Sequence, residues 1–162
     1  MSHTTRRPTG RPSSSQRHLS KAMLLPLKTQ TASDISLANH LALAVCRKGQ
    51  GSAHLINELT KVVFLTYHLQ RSGFSAAPPD LYDRANLALK LSVLRARRDG
   101  VWQVGADDAV LLAEILAVHD QQLIEAAAWK VFEAKVRFDR SIKRGTCLPV
   151  RTTNRRPSLA TL

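Results

Sequence analysis

The chain of 162 residues carries 24 Lys and Arg against 12 Asp and Glu, a net charge of +12, and is 44% hydrophobic but only 5% aromatic. No apolar run approaches the ~20 residues needed to cross a bilayer, which argues against a transmembrane protein. Two distant cysteines, Cys46 and Cys147, exclude a disulfide scaffold and suit a reducing, cytoplasmic compartment.

The charge is uneven along the chain. Residues 1–30 hold Arg6, Arg7, Arg11, Arg17, Lys21 and Lys28 with no acid, a balance of +6. Residues 143–162 hold Lys143, Arg144, Arg151, Arg155 and Arg156 with no acid, a balance of +5, which leaves 31–142 at +1. Both ends are rich in Ser, Thr, Arg and Pro and poor in core-forming residues, so they cannot bury enough apolar surface to offset the entropy of ordering them. The expected organisation is a disordered basic arm (1–30), a helical domain (31–142) and a disordered basic tail (143–162). Basic arms flanking a near-neutral body point to a polyanion, usually nucleic acid. Solubilising tails without a dedicated partner are the plainer alternative, and the acid-free first arm also shares the composition of a mitochondrial transit peptide.

From Ile35 onward the pattern is helical. A first helix is predicted to start near Ser33 or Asp34, where either side chain can cap it, and to end at Arg47, Lys48 and Gly49. Ser52 can cap the second, in which Leu55, Leu59, Val62, Thr66 and Leu69 form one stripe, and Gly73 closes it. A third begins at Pro79, with Asp80 and Asp83 at its positive end, and runs to Arg95, Arg97 and Arg98 before Gly100. The stretch at 101–105 is too short for a sheet and reads as a connection in which Trp102 covers the end of the core. Asp107 and Asp108 open a last helical region reaching Ile142, long enough to predict a break near His119–Asp120 or Glu125–Ala128. The expected fold is an all-α, four- or five-helix antiparallel bundle. In the third helix Leu87, Leu91 and Leu94 form a second apolar line beside Ala85, Ala88 and Leu89, which implies either a central position or a homodimer interface.

No catalytic signature is present. His40, Cys46, His54, His68 and His119 form no CxxC, HxxH or HExxH pair, so neither a metal nor another cofactor is expected. Cys46 reads as a small buried hydrophobe. Cys147 lies in the tail near cations that lower a thiol's pKa. Phosphate-cradling glycine motifs are missing, and capping explains the Asp107–Asp108 pair. An enzyme is not expected. The segment 68–85 has the outline of a helix–turn–helix, with Tyr82 and Arg84 early in its second helix, yet the connection from Gly73 to Pro79 is too long and contains a double proline. An ordinary helical hairpin is the expectation there. Arg95, Arg97 and Arg98 could hold phosphate with Trp102 stacking a base, although cations complementing a helix end account for the same residues.

The segments ISLANHLALAVCRKGQGSAHLINELTKVVFLTYHLQRSGF (35–74) and LKLSVLRARRDGVWQV (89–104) resemble a group of small bacterial proteins of plasmids and other mobile elements, known as Fis-family transcriptional regulators. The resemblance lies in hydrophobic pattern and turn positions over about two-thirds of the chain, and it implies a transcription-associated DNA-binding role in a bacterial cytoplasm. True Fis proteins end in a basic helix-turn-helix, whereas here the last helix runs into RGTCLPVRTTNRRPSLATL, so the resemblance carries over no site residue. The leading expectation is a small, dimeric helical protein that engages DNA phosphates through Arg6, Arg7, Arg11, Arg17, Lys143, Arg144, Arg151, Arg155 and Arg156. Arg95, Arg97 and Arg98 would add a folded contribution. The alternative is a helical protein–protein adaptor with solubilising tails.

Overall fold

The computed structural model describes residues 20–144. The two terminal segments, with Arg6, Arg7, Arg11, Arg17, Cys147, Arg151, Arg155 and Arg156, lie outside the described residues, as does the expectation of disorder there. The described residues form six helices, α1 (Lys21–Leu24), α2 (Thr29–Arg47), α3 (Ala53–Arg71), α4 (Pro79–Asp99), α5 (Ala106–Glu125) and α6 (Ala128–Lys143). Among them only one isolated bridge, between Pro26 and Ala127, interrupts the all-helical pattern.

Local chemistry explains the start of α3 and both ends of α4. Ser52 is extended, and its hydroxyl accepts from the Leu55 amide at 3.3 Å, capping α3. Pro79 occupies the first turn of α4, and Gly100 ends that helix in the left-handed conformation, φ 74°, with its amide donating to the Ala96 carbonyl at 2.8 Å. The long last region runs unbroken through His119–Asp120 and breaks at the second of the two predicted places, at the extended Ala126 and at Ala127.

The start of α2 differs from the sequence expectation. It begins at Thr29, one turn before Ser33, with no side-chain cap. Packing overrides capping here: Ala32 is buried, and the Gln30 side-chain amide donates to Asp34 at 2.7 Å. Residues 20–30, grouped by composition with the basic arm, therefore form α1, a connector and the first turn of α2. That connector is clasped to the start of α6, since the Ala128 amide donates to the Leu25 carbonyl at 2.8 Å.

α3 is the central element, packing against α2, α4, α5 and α6, while α2 and α4 also pack on α5. The main core joins Leu43, Cys46, Ile56, Leu59, Val63, Leu81, Leu89, Val104, Leu112, Ile115 and Leu116, and Trp102 lies half-buried against it. A smaller cluster of Leu65, Leu69, Ala126 and Ala134 seats α6. The connection 72–78 is pinned by Gln70, whose Oε1 accepts from the Ala77 amide (2.8 Å) and the Tyr82 hydroxyl (2.6 Å). Tyr82 is buried, so the position from which a recognition helix would read bases is filled by core. The apolar line on α4 is not central: Leu87, Leu91 and Leu94 are 54%, 46% and 59% exposed, whereas Ala85, Ala88 and Leu89 are buried.

Candidate nucleic-acid interface

At the C-terminal end of α4 the three arginines do not act as one free patch. Arg95 lies 3.6 Å from the Asp108 carboxylate in the first turn of α5 and also donates to the Ser92 hydroxyl at 3.2 Å. Arg98 grips Asp99 through two hydrogen bonds of 2.7 and 2.9 Å. Those bonds push the Arg98 guanidinium higher still and hold the Asp99 carboxyl below its usual range. Arg97 is exposed and makes no ion pair among the described residues. Trp102 packs on the core, and both neighbouring arginines are already matched by acids, so this cluster offers phosphate one unmatched cation.

The larger positive surface is α6. Residues 31–127 sum to a net charge of −1, whereas 128–144 hold Lys130, Lys135, Arg137, Arg140, Lys143 and Arg144 against Glu133 and Asp139. The helix is strongly amphipathic and buries only Ala134 fully; its inner face rests on α3, with the Phe138 ring edge-on to Phe64 at 5.1 Å. Glu133 accepts from Lys130 (3.3 Å) and Arg137 (2.9 Å). Lys130 also lies over the Trp129 ring, 4.0 Å from its centre. Among the described residues Lys135, Arg140, Lys143 and Arg144 are exposed and make no ion pair. Positions 140, 143 and 144 are spaced to share one face at the end of the helix.

Of the sequence-predicted cations, Lys143 and Arg144 are thus placed at the C-terminal end of α6 rather than at the start of a tail. Sequence reasoning missed Arg137 and Arg140, which precede them by two turns and one turn respectively. The signal was available in the i, i+3, i+4 spacing of Arg140, Lys143 and Arg144, but tallying charge by segment divided that cluster at residue 142.

A second feature is a cavity of about 520 Å³ between α6 and the rest of the fold, with Met23, Ile35, Val62, Leu65, Leu123 and Phe132 among its lining. Asn39 and His119 also stand in its wall, both buried, with Asn39 Nδ2 and His119 Nδ1 lacking hydrogen-bond partners. Burial pushes His119 down to about 4, so its ring is neutral at pH 7. Cys46 is fully buried, and desolvation raises its thiol above the ordinary value. No group of three or more His, Cys, Asp or Glu side chains among the described residues is placed to hold a metal ion. No helix there is long and apolar enough to cross a membrane. No family model, curated protein or solved structure matches the chain significantly.

Proposed function

We propose that this helical bundle is a DNA-associated regulatory or accessory protein of the bacterial cytoplasm, holding nucleic acid through its basic terminal arms and the C-terminal end of α6. The observation that carries the reading is the continuity of charge: Arg140, Lys143 and Arg144 are exposed, lack acidic partners among the described residues, and lead directly into the sequence holding Arg151, Arg155 and Arg156. Contacts of this kind go to phosphates, giving affinity and register without reading sequence. Arg97 supplements them, while Arg95 and Arg98 are committed to Asp108 and Asp99.

Duplex DNA binding by the full chain, measured across a salt series, tests this. Removing one phosphate-binding cation should flatten the log–log salt slope by about 0.9. The triple variant Arg140→Gln, Lys143→Gln, Arg144→Gln is therefore expected to lower the slope by roughly 2–3 and weaken binding to unrelated sequences equally. An unchanged slope removes α6 from the interface, and no binding by the full chain at physiological salt removes DNA from the account. The second reading, a helical protein–protein adaptor, is favoured by the exposed line of Leu87, Leu91 and Leu94.

A further inference from the structure

We propose that the exposed face of α4 pairs with the same face of a second copy of this chain, the two helices running antiparallel about a two-fold axis at residue 89. The assignment goes beyond the DNA reading and stands independently of it. Asp80 and Arg98 are 18 residues apart, which is about five full turns, so they lie on one line along the helix and roughly 27 Å from each other. Leu87 and Leu91 straddle that line, and the midpoint of this pair is again residue 89. One two-fold operation thus brings Asp80 to Arg98 of the second copy at both ends and Leu87 to its Leu91 in the middle.

The surroundings fit that register. Leu87 and Leu91 are half-exposed, and Leu94, one turn on, lies on the same side. Beside them is a hollow of about 530 Å³ lined by Leu91, Leu94, Arg95, Arg98 and Asp108, which the second copy's Leu87 would enter. Asp80 is exposed and held only loosely, 3.9 Å from Arg84. Arg98 keeps donors free after gripping Asp99 through Nε and one terminal nitrogen. Arg84, on the flank, meets the second copy's Arg95–Asp108 pair, where the Asp108 carboxylate offsets the guanidinium charges. The helix is acidic at its start and basic at its end, so a uniformly charged partner satisfies only one end. An inverted copy satisfies both.

Sedimentation equilibrium and light scattering on the full chain without DNA test the pairing. Wild type is expected to show a concentration-dependent dimer, and Leu91→Glu to be monomeric with unchanged helical content. Asp80→Arg and Arg98→Asp should each weaken association by roughly tenfold, and the double variant should restore it to within a few-fold of wild type. Because the double variant must regain what each single change loses, it separates pairing from damage to the fold. A wild-type chain that stays monomeric at roughly 100 μM overturns the proposal. So does a dimer that survives Leu91→Glu, or a double variant no better than the single ones.

Discussion

At the residue scale the fold depends on a few positions where a single atom decides. A Cβ at Gly51 would run into the Trp102 carbonyl oxygen and come within 2.9 Å of Cys46 Sγ. Both neighbours are fixed, since Cys46 is fully buried and its own carbonyl accepts from the Val104 amide at 3.2 Å. Gly51→Ala is therefore expected to cost about 1–3 kcal/mol in urea unfolding, with helical content retained at low denaturant. His119 sets a pH dependence. The unfolded chain takes up a proton at the ordinary value of 6.5, while burial holds the folded side chain at about 4. Stability is thus complete above pH 6.5, falls as pH drops towards 4, and is level below that, for a total of roughly 3 kcal/mol. His68, lowered mainly by burial and also by Arg137 and Arg71, acts in the same direction. Unfolding free energies at pH 7 and pH 5 should show the loss in wild type and a smaller one in His119→Leu; equal losses in both would falsify the assignment.

Elements are joined by buried amides. Gln122 is fully buried, and its Nε2 donates to the Thr66 carbonyl at 3.1 Å and the Ser75 carbonyl at 2.7 Å, tying α5 to α3 and to the connection before α4. Gln122→Leu keeps the volume but orphans a loop carbonyl, and a loss of about 1–3 kcal/mol in denaturant unfolding is expected. A change below roughly 0.5 kcal/mol would mean that water replaces the amide. Nothing in the sequence marks Gln122 as such a link, because its partners lie 56 and 47 residues away. What was legible were features set by neighbours along the chain: the Ser52 cap, Pro79, the Gly100 terminus, and the stripe of Leu59, Val62, Thr66 and Leu69 that the structure buries. The α2 start misled, since the good caps Ser33 and Asp34 yielded to burial of Ala32. Of the candidate interface, charge sign and the end of the last helix were readable. The pairing of Arg95 with Asp108 was not, because it depends on how α5 folds back beside α4.

At the scale of the whole molecule, burial is distributed very unequally. α3, α4 and α5 each bury eight residues, whereas α6 buries one and α1 none. The clasp between Leu25 and Ala128 links these two lightly buried pieces to each other, so they are expected to open as one cooperative unit distinct from the main core. In native-state hydrogen exchange the Ala128 amide and the inner amides of α6 should therefore exchange together through one opening, at far lower free energy than those of α3 and α5. That opening has a chemical consequence. Met23 and Leu27 come from the labile piece, as do Ala128, Val131, Phe132 and Lys135, whereas Ile35, Val62, Leu65 and Leu123 stay with the core, so the two sets face each other across one cavity. An excursion of α6 is thus expected to expose the cavity's apolar floor more widely and to let solvent reach the partnerless nitrogens of Asn39 and His119 while the main core stays intact.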